Sequence, residues 1–317
     1  MNDAPRRWWN ILDKALRSYG MIPTRADRCC YVLYEENKKE NSKHHHPLKL
    51  NSTNSCENAV EYIIDPVTGS NAHGKRVVAI LNLHVDDLFG TGGPELEEKI
   101  LKRIRKDFEV GSEDWNEITY VGQRIRWKQE TSKTGETCPY IAVDQDKDID
   151  GLEEVVFNKK EPDHKKCDPG THTAFRSALG VLNWLQSRTQ FHVCYKFSRS
   201  ASAAAGPTIG DIKTLNKTIR QLKSCPVVLR FWPLTGPHRL IGYPDASYRN
   251  NEDKSSQRAH VVFLAEQRQR NAQNGNAYGS LIDYESQKIK RTVLSTTVSE
   301  FYSFMKCFGT CQFLKGL

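Results

Sequence analysis

Residues 76–93 read RVVAILNLHVDDLFGTGG. Arg76 to His84 is a strongly apolar run of strand-forming residues. Val85, Asp86 and Asp87 follow without a spacer, and LFGTGG resumes as a short strand before breaking at its glycines. This pattern predicts a β-hairpin with two carboxylates at its tip. An apolar strand fixes where the acids behind it point, which a solvated Asp-Asp pair on a loose segment lacks. Clustered hard oxygen donors in such a place suit Mg²⁺-dependent phosphoryl transfer, where two ions clamp the attacking and leaving oxygens. Asp is also a common turn residue, so the dipeptide by itself favours an ordinary tight turn.

Upstream of the hairpin, Trp8, Trp9, Ile11, Leu12, Ala15 and Leu16 recur at mostly helical spacing and predict a helix from about Arg6 to Ser18, ended by Gly20. CYVLY, Cys30 to Tyr34, reads as a strand. The polar stretch from Glu35 to Ser55, with His44, His45 and His46, reads as a flexible loop that needs no metal, and EYIID near Glu61 as a short strand.

Downstream, Pro94 and Glu95 open a helix to about Phe108. Leu96, Ile100, Leu101, Ile104 and Phe108 form one face, with Lys99, Lys102, Arg103, Arg105 and Lys106 off it. That basic side suits a phosphate backbone, and equally the solvated face of a packed helix. Strands follow at Ile118–Trp127 and Tyr140–Val143. The polar stretch Asn158–Gly170 reads as a linker, then come helices around Thr173–Arg188 and Asp211–Lys223, with the turn-forming FSRSASAAAGPT between them. VVLRFW, RLIGYPDASY, AHVVFLAEQ and LIDYES read as four strands. Ser295–Leu317 reads as a helix with Val298, Phe301, Tyr302, Met305, Phe308 and Phe313 at helical spacing. The fold class is therefore α+β.

The chain has 317 residues, enough for two domains, and 46 Lys+Arg against 38 Asp+Glu give a net charge of +8, which permits a polyanionic partner without singling one out. Nine cysteines occur with no C-x-x-C pair, so reduced structural thiols are the better reading than zinc. No apolar run approaches the roughly 20 residues needed to span a bilayer, and the first residues lack a signal-peptide core. A soluble, intracellular and cytoplasmic protein without membrane contact is the expectation.

LNLHVDDLFGTG resembles the Tyr-x-Asp-Asp hairpin of reverse transcriptases, specifically those of copia/Ty-type LTR retrotransposon Pol polyproteins. Further blocks are similar in order. APRRWWNILDKALRSYGMIPTRADRCCYVLY, Ala4 to Tyr34, looks like that family's Ala-Pro-Arg-x-Trp block. TYVGQRIRW looks like its palm continuation, and the segment from Phe175 to Lys223 like the connection to ribonuclease H. GYPDASYRNNEDKSSQRAHVVFL and QKIKRTVLSTTVSEFYS look like the start of ribonuclease H.

The resemblance implies a partial reverse-transcriptase palm at 1–130, a helical connection at 131–225 and the first part of a ribonuclease H-like α/β domain at 226–317. It implies that Asp86 and Asp87 bind Mg²⁺, with Mn²⁺ as a substitute, in RNA-templated DNA synthesis. Asp245 and Glu300 would bind it in cleavage of RNA in a hybrid. Arg6, Lys102, Arg103, Lys106, Arg124 and Arg126 become contacts to RNA, DNA or an RNA–DNA hybrid, and Trp127 a stacking partner for a base.

Three departures stand out: His84 replaces the usual Tyr, Pro244 the usual Ser, and Asp283 an aromatic. The family's third polymerase acid falls before the Ala4 block, and neither Asp3, Asp13, Asp27 nor Asp65 follows a suitable strand. Two further ribonuclease H acids fall beyond Leu317. The resulting expectation is a Pol segment cut at both ends, with little or no turnover of either kind, or a retroelement-derived module that binds nucleic acid without chemistry, or a fragment with no function of its own.

Overall fold

The computed structural model describes residues 4–24, 27–35, 76–131, 135, 137–234, 238–266 and 279–315. The His44–His46 loop and the strand expected near Glu61 lie outside these residues. The chain divides into two compact units, residues 1–113 (with 316–317) and 114–315.

In the first unit, helix α1 (Ala4–Ser18) precedes β1 (Ile22–Pro23), β2 (Cys30–Tyr34), β3 (Val77–His84) and β4 (Asp87–Gly92), which form an antiparallel sheet in sequence order. The strand expected to be apolar throughout is in fact alternating. Ala79, Leu81 and Leu83 are buried while Ile80 is 42% exposed, because one face of an antiparallel sheet packs and the other is left to solvent. The buried face joins Tyr31 and Leu33 to Leu12 and Leu16 of α1, to Tyr19 just after it, and to Leu96, Ile100 and Ile104. These last three lie on a π-helical stretch, Leu96–Leu101, that runs on into α2 (Lys102–Asp107).

β4 passes through Gly90 and ends at Gly92, where the sequence places the break. Gly90 faces Leu81 and Gly92 faces Ala79 within the ladder. A Cβ on Gly92 would sit 2.6 Å from the Ala79 Cβ and 2.8 Å from the Val78 carbonyl oxygen. Here glycine permits close approach of two strands as well as marking the end of one.

The second unit begins with β5 (Glu117–Tyr120), β6 (Gln123–Thr131) and β7 (Thr137–Asp144). The single strand expected over Ile118–Trp127 is a hairpin, turning at Val121 (φ 48°) and Gly122 (φ 69°). Valine rarely takes a left-handed conformation, which hid this turn from sequence reasoning.

Helices α3 (Asp146–Gly151), α4 (Pro169–Gln186), α5 (Cys194–Ser202) and α6 (Ile209–Ser224) follow. Phe175, Leu182, Leu185, Ile212, Leu215, Ile219 and Leu222 are the centre of their core. α4 starts earlier than expected because Asp168 accepts from the Gly170 and Thr171 amides with Pro169 in the first turn. α6 starts at a capping box between Thr208 and Asp211.

The segment read as a linker is pinned to that N-terminus. The Ile209 and Gly210 amides donate to the carbonyls of Lys165 and Asp163, and Lys213 pairs with Asp163. Half of the stretch read as turns is α5.

β8 (Leu229–Phe231) adds to β7, so VVLRFW belongs to the sheet of β5–β8 and not to the later strands. β9 (His238–Ser247), β10 (Gln257–Glu266) and β11 (Gly279–Lys288) form a separate antiparallel sheet with β10 central, followed by α7 (Thr296–Lys315).

α7 reverses its expected orientation. Ser299, Ser303 and Cys307 are buried, while Phe301, Phe304, Met305 and Phe308 are exposed. Small side chains let the helix sit close to the sheet, which apolar periodicity alone does not reveal. Among the described residues no helix is long and apolar enough to cross a membrane.

Candidate functional site

Asp86 and Asp87 sit where the sequence places them. His84 faces Asp87 across the last rung of β3 and β4, leaving Val85 and Asp86 as a two-residue loop, and both carboxylates are solvent-exposed. Val85 has φ 55°, a position where two-residue hairpin loops favour glycine and a β-branched residue is strained. The Trp8 indole N–H donates to the Val85 carbonyl at 3.1 Å, and the Trp8 ring meets Phe108 edge-on at 5.6 Å. One side chain therefore ties α1 and the end of α2 to the loop that carries the acids.

The remaining aspartates of this unit have structural roles. Asp13 accepts from the Tyr31 hydroxyl at 2.8 Å and pairs with Arg17, while Asp27 accepts from the Cys29 amide. Asp3 and Asp65 lie outside the described residues. Burial and then the bond to Asp107 push the Tyr19 phenol up to about 12, so it remains a neutral donor under the helix.

The expected nucleic-acid contacts fall into two groups. Arg124 and Arg126 converge on Asp144, which is fully buried, and Arg124 also reaches Asp146 at 2.6 Å. A buried carboxylate demands such partners, so these two guanidinium groups are committed within the fold and are not free phosphate contacts. On the helix of the first unit, Lys102 pairs with Glu98, Arg105 with Glu97 and Glu113, and Arg103 lies over the Tyr19 ring. Arg6 and Lys106 are exposed with no ionic partner among the described residues, and Trp127 is 53% exposed.

Asp245 and Glu300 are brought to one helix–sheet pair but not to one point. Ser303, one turn after Glu300, accepts from the Asp245 amide and donates to the carbonyls of Asp245 and Ala259 at 2.7 and 2.6 Å. α7 thus clamps the β9 backbone at Asp245. Side chains alternate along β9, however, and Gly242 is the one that faces α7, where a Cβ would lie 2.5 Å from the Cys307 sulfur. Three residues on, the Asp245 carboxylate falls on the opposite face of the sheet, where it lines a cavity with Phe191, Tyr243 and Tyr284. This corrects the expectation that folding would gather Asp245 and Glu300 around one ion.

Among the described residues no group of three His, Cys, Asp or Glu side chains is placed to hold a metal. Asp86 and Asp87 offer two hard oxygen donors, which suits a loose Mg²⁺ contact but not the two-ion clamp of phosphoryl transfer.

Sequence reasoning missed the cavity beside Asp245, because its walls come from β9, β10, β11 and the 3₁₀ turn Phe191–Val193 before α5. It also missed the buried His260, whose Nε2 lies 2.8 Å from an Asp283 carboxylate oxygen. Asp283 replacing an aromatic was the available signal. No known family model matches the chain, and no curated protein and no solved structure shows significant similarity to it.

Proposed function

We propose that the chain is a segment of a copia/Ty-type Pol polyprotein, with a reverse-transcriptase-like palm and a ribonuclease H-like start, that holds RNA, DNA or their hybrid with little or no phosphoryl transfer. The observation that carries this reading is the bond from Trp8 to Val85. It joins two of the sequence blocks that resemble the family, 77 residues apart, at the loop presenting Asp86 and Asp87. A plain surface turn has no need of a buttress from a distant tryptophan.

The absence of turnover rests on the acids. No third carboxylate joins Asp86 and Asp87 among the described residues, and the sheet separates Asp245 from Glu300. Binding would fall to exposed cations such as Arg6 and Lys106 and to Lys102, whose exposed partner Glu98 holds it only weakly against a phosphate.

Two measurements test the reading. Retention of single-stranded RNA and hybrid duplex on filters is expected to weaken steeply as salt rises, and no measurable affinity at about 0.1 M salt would remove the binding function. Primer extension on an RNA template with Mg²⁺ or Mn²⁺ is expected to give no product. Extension abolished by Asp86→Asn would overturn the non-catalytic reading.

A further inference from the structure

The face of the β9–β10–β11 sheet that carries Asp245 borders, with the 3₁₀ turn and α5, an open cavity of about 400 Å³. Four aromatic rings line it: Phe191, Tyr195, Tyr243 and Tyr284. Phe191 and Tyr284 meet at 5.7 Å with their planes inclined by 61°. Rings so inclined do not form the parallel walls that a flat base requires.

Charge points the same way. In a chain of net charge +8, no Lys or Arg is among the residues lining this cavity, and Asp245 places a carboxylate on its face of the sheet. Glu285 points to the other face of the sheet and is paired with Arg258, while the Asp245 carboxylate has no ionic partner among the described residues.

Polar atoms also lie sealed behind the lining. The Tyr284 hydroxyl and both ring nitrogens of His192 are buried without a partner. Burial pushes the His192 imidazole down and the Tyr284 phenol up, so both are neutral near pH 7 and add no charge to the walls.

We propose that this cavity binds an organic ammonium cation of the methylated-amine class, held by the faces of Phe191, Tyr195, Tyr243 and Tyr284 and neutralised by Asp245. The head group is either a free alkylamine or the side chain of a methylated lysine. The inference does not depend on the polymerase-family reading, since Asp245 acts here as a carboxylate facing an aromatic wall and not as a metal ligand.

Titration of the full chain with dimethylammonium chloride, followed by ligand-observed NMR, is expected to show saturable binding at millimolar concentration. Tetramethylammonium, which keeps the charge without an N–H, should also bind, and the neutral isostere tert-butanol not at all. Asp245→Asn and Tyr243→Ala alter exposed side chains, so the fold survives, and each should weaken binding roughly fivefold or more. A peptide with one dimethyl-lysine, titrated in parallel, separates the sources: tighter binding than the free amine assigns a polypeptide ligand, and equal binding a small amine. Equal binding of tert-butanol, unchanged affinity in Asp245→Asn, or saturable binding of adenosine in place of the amines would overturn the proposal. Loss of nucleic-acid retention on filters with amine binding intact would count against the family reading alone.

Discussion

The β3–β4 hairpin and the β9–β10–β11 sheet with α7 each carry two acids that family resemblance assigns to metal binding, and they hold them in opposite ways. Asp86 and Asp87 are consecutive residues on one loop, so any fold that forms the hairpin keeps them together. Asp245 and Glu300 come from a strand and a helix, and their meeting depends on which way one strand residue points. Gly242 toward Cys307 sets that parity, and Asp245 takes the far face. Proximity built into covalent sequence is robust, while proximity built from packing can be lost by one step of alternation.

Breaking the hairpin gives the largest expected effect. Gly92→Ala drives a methyl against the Val78 carbonyl and the Ala79 side chain, and backbone cannot swing aside as a side chain end can. Chemical denaturation should show a loss of about 3 kcal/mol. A change within about 0.5 kcal/mol would mean that β4 lies further from β3 and that the acid loop is loosely held.

The second region breaks at Ser303. Ser303→Ala removes the hydroxyl that serves the Asp245 amide and two carbonyls, leaving buried groups unpaired at a cost of about 2 kcal/mol. Denaturation again reads it. The smaller loss would reflect a clamp made of hydrogen bonds rather than of packed backbone, and no loss would detach α7 from the parity argument.

How much of this was legible in the sequence follows from where the information lay. The hairpin at Asp86 and Asp87, the strand Cys30–Tyr34 and the helix around α1 were readable because local apolar pattern and turn chemistry agree there. The turn at Val121 was not, because valine at φ 48° is chosen by its surroundings, with the Trp184 ring 2.9 Å from where a Cβ on Gly122 would lie. The α7 face was misread because Ser299, Ser303 and Cys307 are buried for their small size, and hydropathy ranks them below the phenylalanines that stay outside. The commitment of Arg124 and Arg126 needed the knowledge that Asp144, 18 to 20 residues later, is buried beside them.

A smaller effect sharpens the view of the acid loop as strained. Val85→Asn places at φ 55° a residue that tolerates the left-handed region, and a gain of about 1 kcal/mol is expected in denaturant titration. The Trp8 bond goes to the Val85 backbone carbonyl and survives the substitution. A loss instead would show that the valine side chain packs productively and that the loop is unstrained.

The smallest effect concerns acid. Hydrogen bonds from Arg105 hold the carboxyls of Glu97 and Glu113 below the ordinary value of 4.5. A carboxyl depressed in the folded state stabilises it above the unfolded pKa, and that contribution is lost as pH falls through the folded value. Thermal melts of the first unit's signal should therefore be flat from pH 7 to about 5 with respect to this pair and decline below about 4.5. Arg105→Gln should lower the neutral-pH melt slightly and shrink the decline by the same amount, the two curves converging once both carboxyls are protonated; the difference is small because both acids are partly exposed and screened. The comparison with the second unit makes the test selective. Asp146 is shifted the other way, raised by burial and by neighbouring Asp144, so protonating it favours its folded state. With respect to these groups, acid should weaken the region that keeps its two candidate ligands together before the region that separates them, and the reverse order would show that other carboxylates govern acid stability.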